Sequence, residues 1–249
     1  IGTMVMITIS HYDYRKLYEN PKILFIAYFT VSILLILTLV LGSVTKGSKR
    51  WLSLGPLSFQ PSELSKLILI LFLARFLANH EKLNRKMKGI FLALLITIPI
   101  IGPVAVENAS TSIILLAIAG IMIFAASPWY KRFFFMLFLG GFLGAVIIGS
   151  RAYRLERFVI WMDPENHPKG LQTIQGLYAI GSGGLFGKGL GNSMQKKGFL
   201  PEPQNDMIFS IICEELGLFG AIAVILMFIM LIWRMMIIAN NAPDLFGAM

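Results

Sequence analysis

Six long runs of mainly apolar residues constrain this chain more than any other feature of its sequence. Their bounds are 23–41, 64–78, 90–106, 111–126, 133–149 and 207–233. A helix that crosses a bilayer needs about 20 mostly apolar residues, and these runs approach or exceed that length. The composition agrees, because 56% of the residues are hydrophobic, 14% are charged and the mean hydropathy is +0.74. We therefore predict an all-α, polytopic integral membrane protein, built as a helical bundle.

The basic residues predict how the spans are oriented. Three short connections, 11–22, 80–89 and 129–132, carry Lys or Arg and alternate with the other connections. The positive-inside rule places such connections in the cytoplasm. The connections that then face outward are 43–63, 107–110 and 150–206. The last is a large extracytoplasmic loop between the last two complete spans, and long loops are exempt from the rule despite their basic residues.

The ends of the chain suggest a piece of a longer protein. Residues 1–9 resemble the end of a further span, and the chain does not begin with Met. We expect residues 1–249 to form a single, partial transmembrane domain.

Several classes of partner and cofactor are disfavoured by the polar residues. Cys213 is alone, which excludes a disulfide framework or a thiolate metal site built from this chain. His11, His80 and His167 are scattered over loops on opposite sides and do not suggest a zinc site. The net charge of +9 is not accompanied by a nucleic-acid reading module, so we predict no nucleic-acid partner. The basic residues of loop 150–206 indicate either an anionic partner or acidic lipid headgroups.

A glycine-rich run, "YAIGSGGLFGKGLGNS", invites comparison with nucleotide-binding loops but matches neither common motif. A Walker-type loop needs Gly where Ser182 stands and Ser or Thr where Gly189 stands. A dinucleotide loop needs Gly where Asn192 stands. Two interpretations remain: a loop that approaches a ligand or a helix end closely, with Lys188 among its glycines, or a re-entrant or surface loop with tight turns.

The segment "GSKRWLSLGPLSFQPSELSK" is a second polar cluster on the side predicted to face outward. Ser62 is placed to cap the helix that follows, and Glu63 lies in the first turn, where a negative charge suits the helix dipole. Glu63 and Lys66 are three residues apart and can form an ion pair. This is either an ordinary helix start or a functional site, because Lys66 lies about one turn inside a spanning helix.

Four acids lie in the segment "LPEPQNDMIFSIICEELG", and two of them precede the apolar run. Glu202 and Asp206 are predicted at the outer rim beside the basic loop, where a partly desolvated carboxylate can act as a general base. Asn205 or Asp206 can instead cap the helix at Met207.

The other two acids, Glu214 and Glu215, lie inside the apolar run. We predict that they are structural and are held by hydrogen bonds or by a cation on another helix, such as Arg75 or Lys66. Glu214 belongs to a small or polar stripe that would let a neighbouring helix approach: Ser210, Cys213, Glu214, Gly217 and Ala221.

The same segments carry a family resemblance. "GSKRWLSLGPLSFQPSELSK" and "GLQTIQGLYAIGSGGLFGKGLGNSMQKKGFLPEPQNDMIFSIICEELG" resemble the hallmark segments of the SEDS family of bacterial membrane proteins, which includes FtsW, RodA and SpoVE. "GLGNSMQK" is more similar to the FtsW or SpoVE type than to the RodA type. The family has about ten spanning helices, so the resemblance implies that this chain runs from the end of the second to just beyond the eighth.

The resemblance also implies an activity and a set of site residues. The activity is peptidoglycan glycosyl transfer, which polymerises lipid II outside the cytoplasmic membrane alongside a class B penicillin-binding transpeptidase. The essential carboxylate of the family corresponds to Asp206, the paired acid and lysine to Glu63 and Lys66, and the preceding Arg-Trp to Arg50 and Trp51. The chain departs from the family at 108–109, where Asn and Ala stand in a turn that often carries an acid.

The chemistry of that reaction fits the residues. Transfer at the sugar C1 needs a base for the incoming 4-hydroxyl and positive charge for the departing diphosphate. Asp206 is the candidate base, with Glu202 as its helper. The candidate cations are Arg50, Lys66, Lys188, Lys196 and Lys197. A divalent cation, Mg²⁺ or Mn²⁺, is a candidate helper. No other cofactor is expected.

Two alternatives from other functional classes stay open. A lipid II flippase would use intramembrane ionisable residues, for which Lys66, Arg75, Glu214 and Glu215 are available. A transporter places such residues near the membrane midplane, whereas the richest polar cluster here lies at the predicted outer rim. A scaffold that recruits the transpeptidase would need no catalytic carboxylate.

Overall fold

The computed structural model of the protein describes most of the chain. The described residues are 2–45, 48–54, 57–84, 86–127, 134, 138, 156, 159–168, 170–200 and 203–249. The predicted span 133–149 therefore lies almost entirely outside the described residues, as does Glu202. The helices with assigned bounds are α1 (Gly2–Ser10), α2 (Arg15–Glu19), α3 (Pro21–Leu41), α4 (Pro61–Asn79), α5 (Glu81–Asn84), α6 (Met87–Glu107), α7 (Ala109–Ala126), α8 (Leu171–Gly183), α9 (Ile208–Asn240) and α10 (Leu245–Ala248).

Three of these helices are long and apolar enough to cross a membrane, among the residues that the structure describes. They are Pro21–Leu41, Met87–Val106 and Ile208–Asn240, and Ser110–Ala126 is a shorter apolar helix. The helices α3, α4, α6 and α7 coincide with four predicted spans to within a few residues at each end. The predicted helical membrane fold is therefore confirmed for the described part of the chain.

The structure divides into two compact units. One unit comprises Ile1–Gly141 together with Ile238–Met249, and the other is Phe142–Ile237. The first unit is held together by packing of α3, α4, α6 and α7. Its core is aliphatic and aromatic, and Tyr28 stacks on Phe72 with ring centroids 4.2 Å apart. The fully buried aliphatic side chains of this core include Leu24, Leu69, Leu73, Ile100 and Leu115.

A small antiparallel sheet interrupts the first unit between α3 and α4, and the sequence did not predict it. Its strands are β1 (Ser43–Thr45), β2 (Ser48–Leu54) and β3 (Leu57–Phe59), in the order β1-β2-β3. Leu52 pairs with Phe59 in the second ladder. The backbone groups of this segment are thus satisfied by pairing with one another at the start of a spanning helix.

Helix α4 begins two residues earlier than the sequence predicted. Pro61 is its first residue. Proline suits this position because its ring fixes φ near the helical value and because an N–H there would have no partner within the helix. The residue at the cap position is Gln60, whose side chain makes no cap hydrogen bond to the helix. The prediction that Ser62 caps α4 is therefore wrong: Ser62 lies inside the first turn, is buried, and its hydroxyl accepts a hydrogen bond from Gln60 Nε2 at 3.0 Å.

In the second unit, α8 packs against the first part of α9, and the two helices run in the same direction. A Cβ atom on Gly176 would meet the side chains of Met207 and Ser210, and one on Gly183 would lie 2.0 Å from the carbonyl oxygen of Cys213. At Gly183 only glycine allows this approach, because the atom that a Cβ would meet belongs to the backbone of α9. The predicted small and polar stripe of α9 is buried, as the sequence indicated: Ser210, Cys213, Glu214, Gly217 and Ala221.

Candidate active site

Helix α9 is broken at Gly217, and residues 184–200 meet it at the break; we call these residues the glycine-rich loop. Gly217 has φ 66° and ψ −164°, which are not helical values. The carbonyl oxygen of Glu214 accepts a hydrogen bond from Lys188 N at 2.9 Å, and that of Glu215 accepts one from Gly189 N at 2.9 Å. The loop therefore satisfies carbonyl groups that a continuous helix would pair internally.

On the other side of the break the hydrogen bonds run in the opposite direction, from amides of α9 to carbonyl groups of the loop. Leu218 N donates to the carbonyl oxygen of Gly184 at 2.9 Å, and Phe219 N donates to that of Leu185 at 3.3 Å. These are the first amides of the part of the helix that follows Gly217. The sequence predicted one uninterrupted span over 207–233. The structure corrects this to two helical segments that meet at Gly217, and the glycine-rich loop forms hydrogen bonds to both.

Glycine is required on both sides of this junction. Gly187 has φ 78°, and a Cβ there would lie 2.2 Å from the carbonyl oxygen of Glu215. A Cβ on Gly217 would lie 2.4 Å from Gly187 N. Of the two interpretations of the glycine run, close approach to a helix is the one that the structure shows, and the partner is the interior of α9.

The carboxylate of Glu214 is fully buried and is the centre of a hydrogen-bond network. Lys188 Nζ lies 2.7 Å from its Oε1, and Met194 N donates to the same oxygen at 3.2 Å. Its Oε2 accepts from Ser193 Oγ at 2.5 Å and from Gln195 N at 3.3 Å. Burying a carboxylate is costly unless it is paired and hydrogen-bonded, and here both conditions are met.

Glu215 makes a second, more exposed connection to the same loop. Its Oε1 lies 2.6 Å from Lys196 Nζ and accepts from Ser193 N at 3.3 Å. Its side chain retains 12% exposure, against 0% for that of Glu214. The two adjacent acids thus hold two lysines of one loop.

The structural role predicted for the two acids fits this network, but the suggested partners Arg75 and Lys66 are wrong. The cations come from the glycine-rich loop, and Lys66 pairs with Glu63 instead. Sequence reasoning also missed Ser193, which bonds to both acids. A lysine flanked by glycines, together with a glycine two residues after an acid pair in a helix, was the available signal for this junction.

Asp206 lies in the turn that precedes α9, and it is exposed. Among the described residues its carboxylate has no hydrogen-bond or ion-pair partner, so it does not show the predicted capping bond. Glu214 follows eight residues later, or roughly 12 Å along a helix at 1.5 Å per residue. The carboxylate is therefore available to a ligand at the end of a segment that is firmly held further along.

The remaining predicted site residues are placed as follows. Lys66 Nζ lies 2.8 Å from Glu63 Oε2 in the first turns of α4, with the two side chains 31% and 60% exposed. Trp51 is half-buried in strand β2, next to Arg50, whose side chain is outside the described part. Lys197 is exposed in the 3₁₀ turn Gln195–Lys197. The roles of these residues in substrate binding stay predictions.

A divalent cation would need converging oxygen ligands. Within the described ranges, no group of three or more His, Cys, Asp or Glu side chains is arranged to hold a metal ion. Glu63, Glu214 and Glu215 are already paired with lysines. The described residues therefore do not fit a metal ion.

A match to a protein-family model shows which family this chain belongs to. The family model described as "Cell cycle protein", for FtsW, RodA and SpoVE, matches residues 1–249. The chain belongs to this family. The resemblance noted in the sequence is thereby confirmed over the whole length of the chain.

Curated relatives of this FtsW/RodA/SpoVE family member carry the names of two branches. "Stage V sporulation protein E" of Bacillus subtilis is 39% identical over 254 residues, covering 100% of this chain and 69% of the relative. "Probable peptidoglycan glycosyltransferase FtsW" of Halomonas elongata is 38% identical, covering 84% and 54%, and that of Saccharophagus degradans is 36% identical, covering 98% and 63%. The chain thus spans about half to two thirds of the length of these relatives.

Solved structures show the same fold. A chain from "Structural coordination of polymerization and crosslinking by a peptidoglycan synthase complex" has a TM-score of 0.76 at 24% identity, with 99% of this chain and 69% of that chain covered. The Thermus thermophilus rod shape determining protein RodA has a TM-score of 0.64 at 24% identity, covering 99% and 65%. These likenesses confirm that this is a polytopic helical membrane protein.

Proposed function

We propose that this protein is a peptidoglycan glycosyltransferase that polymerises lipid II at the outer face of the bacterial cytoplasmic membrane. Family membership supports the proposal, as do the names of the FtsW relatives at 36–38% identity. The process served is cell division or cell-shape maintenance, and the partner is a class B penicillin-binding transpeptidase. These assignments concern the full-length protein.

The observation that carries the proposal is the carboxylate of Asp206, which has no partner among the described residues. It is exposed in the turn before α9, a few residues along the chain from a loop that bears three lysines. A general base must reach the proton that it abstracts, and a carboxylate already engaged in ion pairs is a poor candidate. Among the four acids of this region, Glu214 and Glu215 are engaged in this way.

In the proposed reaction Asp206 accepts the proton of the incoming sugar's 4-hydroxyl. The hydroxyl oxygen attacks C1 of the donor sugar, the bond from C1 to the diphosphate oxygen breaks, and undecaprenyl diphosphate leaves with the electron pair. This single displacement inverts C1 and requires no enzyme nucleophile. Lysine or arginine charge stabilises the departing diphosphate, and Lys197, with its exposed side chain, is the loop lysine best placed to provide it.

The flippase alternative is less well supported by the geometry. A transporter needs ionisable groups that a moving substrate can contact along its path. The acids that it would use, Glu214 and Glu215, are bound to Lys188 and Lys196, and Lys66 is bound to Glu63. These groups are better suited to holding the protein's own segments together.

The test is lipid II polymerisation by the purified full-length protein carrying Asp206→Asn, with the partner's own activities blocked. Loss of a general base typically costs about 10²–10⁴-fold in rate, and we expect a loss in that range. The matched control is Glu165→Gln, which neutralises another exposed acid of the predicted outer loop 150–206 and should polymerise normally.

Normal polymer formation by a well-folded Asp206→Asn protein would refute the base assignment. A wild-type protein that forms no polymer in this assay, while it still recruits the transpeptidase, would instead support the scaffold alternative.

A further inference from the structure

We propose that Lys188 and Glu214 are positioning residues for glycosyl transfer, and that Lys188 does not bind the diphosphate. Their ion pair locks the glycine-rich loop into the break of α9. This in turn gives the segment that leads to Asp206 a single arrangement. The inference rests on the proposed function and deepens it, because it divides the loop lysines between two roles.

The first step is that the loop is tied to α9 over most of its length. Lys188 and Gly189 donate backbone hydrogen bonds to the carbonyls just before the break. Further along the loop, Ser193 Oγ and the amides of Met194 and Gln195 converge on the buried Glu214 carboxylate. The Lys188 side chain adds the countercharge that this buried group needs, and its ammonium also donates to Ser182 Oγ at 2.9 Å.

The second step is that Asp206 is close to this tie along the chain in both directions. Lys196, which is bound to Glu215, precedes Asp206 by ten residues. In the other direction Asp206 precedes the first residue of α9, Ile208, by two residues and Glu214 by eight. The chain is therefore attached to the same helix on both sides of 197–205, which we call the linking segment. In its described part Leu200 is buried, and its amide donates to the Gln195 carbonyl at 3.0 Å.

The third step concerns what the Lys188 charge can still do. Its ammonium is 2.7 Å from Glu214 Oε1 and is therefore already neutralised. Glu214 and Ser182 Oγ take two of the three donors of this ammonium, so binding a diphosphate with more than one donor would disrupt the pairing of a fully buried carboxylate. Lys197 has no such commitment among the described residues. The geometry thus indicates a structural role for Lys188 and leaves the side chain of Lys197 available to bind the substrate.

Loss of the pair should act on rate more than on substrate binding. A misplacement of about 1 Å at a reacting group can cost about 100-fold in rate, even when the altered residue never touches the substrate. Without the pair the linking segment 197–205 would be anchored less firmly, and Asp206 would be held less well against the acceptor hydroxyl. We expect Lys188→Met to lower kcat by about 10–100-fold with little change in KM.

The experiment is a double-mutant cycle in the full-length protein. Lys188→Met, Glu214→Gln and the double variant are compared with wild type by kcat and KM for lipid II, and by hydrogen–deuterium exchange of residues 184–200. Residues that act only through each other are non-additive, so the double variant should be no slower than the slower single variant. Loop exchange should rise in all three. Lys188→Arg keeps the charge and should recover most of the rate.

Two control variants separate this effect from general damage. Leu190→Ala alters a side chain of the same loop that is 77% exposed, and Lys82→Met removes an exposed positive charge from α5. Both should keep wild-type kcat and wild-type loop exchange.

Additive losses, a raised KM for Lys188→Met, or unchanged loop exchange would overturn the inference and return Lys188 to the substrate cations. Its failure is distinguishable from failure of the proposed function. If Asp206→Asn is inactive while the cycle variants match wild type, the positioning role alone is wrong. If Asp206→Asn polymerises normally while the cycle variants show a lowered kcat and faster loop exchange, the base assignment alone is wrong.

Discussion

Two lysine–glutamate ion pairs of nearly equal length hold this protein in different ways. Lys66 and Glu63 are three residues apart on α4, at 2.8 Å, and both side chains are partly exposed. Lys188 and Glu214 are 26 residues apart, at 2.7 Å, and the carboxylate is completely buried. The first pair connects neighbours within one helix, whereas the second connects a loop to a helix break. Distance alone therefore does not tell what an ion pair contributes.

The largest difference is expected when each acid is removed. Glu214→Ala deletes the acceptor of three side-chain and two backbone donors and should lower the free energy of unfolding by about 3–5 kcal/mol, as for other broken buried pairs. Glu63→Ala should cost about 0–1 kcal/mol, the range for exposed pairs. Thermal or denaturant unfolding of the purified protein in detergent measures both. Equal costs would erase the distinction between the pairs.

The second prediction concerns the backbone that makes the buried pair possible. Gly217→Ala should destabilise the protein by about 1–3 kcal/mol, because it places a side chain at φ 66° and 2.4 Å from Gly187 N. Gly181→Ala is the matched control, since a Cβ there meets nothing within 4 Å. Its substitution in a helix should be neutral or mildly stabilising. Melting temperatures of the two variants give the comparison, and similar values would argue against the broken helix.

The third prediction compares two hydroxyls near Glu214, and one of them should give the smallest effect of all. Ser193→Ala removes a 2.5 Å hydrogen bond to the buried carboxylate and should cost about 1.5–3 kcal/mol, the range for bonds to charged groups. Ser182→Ala removes a contact to the same residue at 3.4 Å and should cost about 0.5 kcal/mol or less. The same unfolding measurement applies. If Ser182→Ala were the more damaging variant, the assignment of Ser193 as the principal hydroxyl donor would be wrong.

Much of the fold could be predicted from the sequence, because apolar runs of bilayer length have few alternatives. The predicted spans 23–41 and 111–126 correspond to α3 (Pro21–Leu41) and α7 (Ala109–Ala126). The buried stripe of α9 could also be predicted, since small and polar residues recurred at helical spacing. The small sheet between α3 and α4 could not be predicted, because strands of three to seven residues are set by pairing rather than by their own pattern.

The candidate site was only partly visible in the sequence. Asp206 was identified from its position before an apolar run and from the family resemblance, neither of which requires knowing a contact elsewhere in the chain. The partners of Glu214 and Glu215 were assigned to the wrong residues. Helical spacing shows which residues share a face, but it does not show which distant loop reaches that face.

The sequence by itself determined the membrane class, most of the spans, the family and the acid at the start of α9. Apolar length, charge asymmetry and a specific motif are local properties, and they can be seen without knowing how the chain folds back on itself. The tertiary structure decided that α9 is broken at Gly217 and that Lys188 and Lys196 are bound within the protein. Such contacts depend on bringing residues some 20 to 30 positions apart into van der Waals range, which only the folded backbone can do.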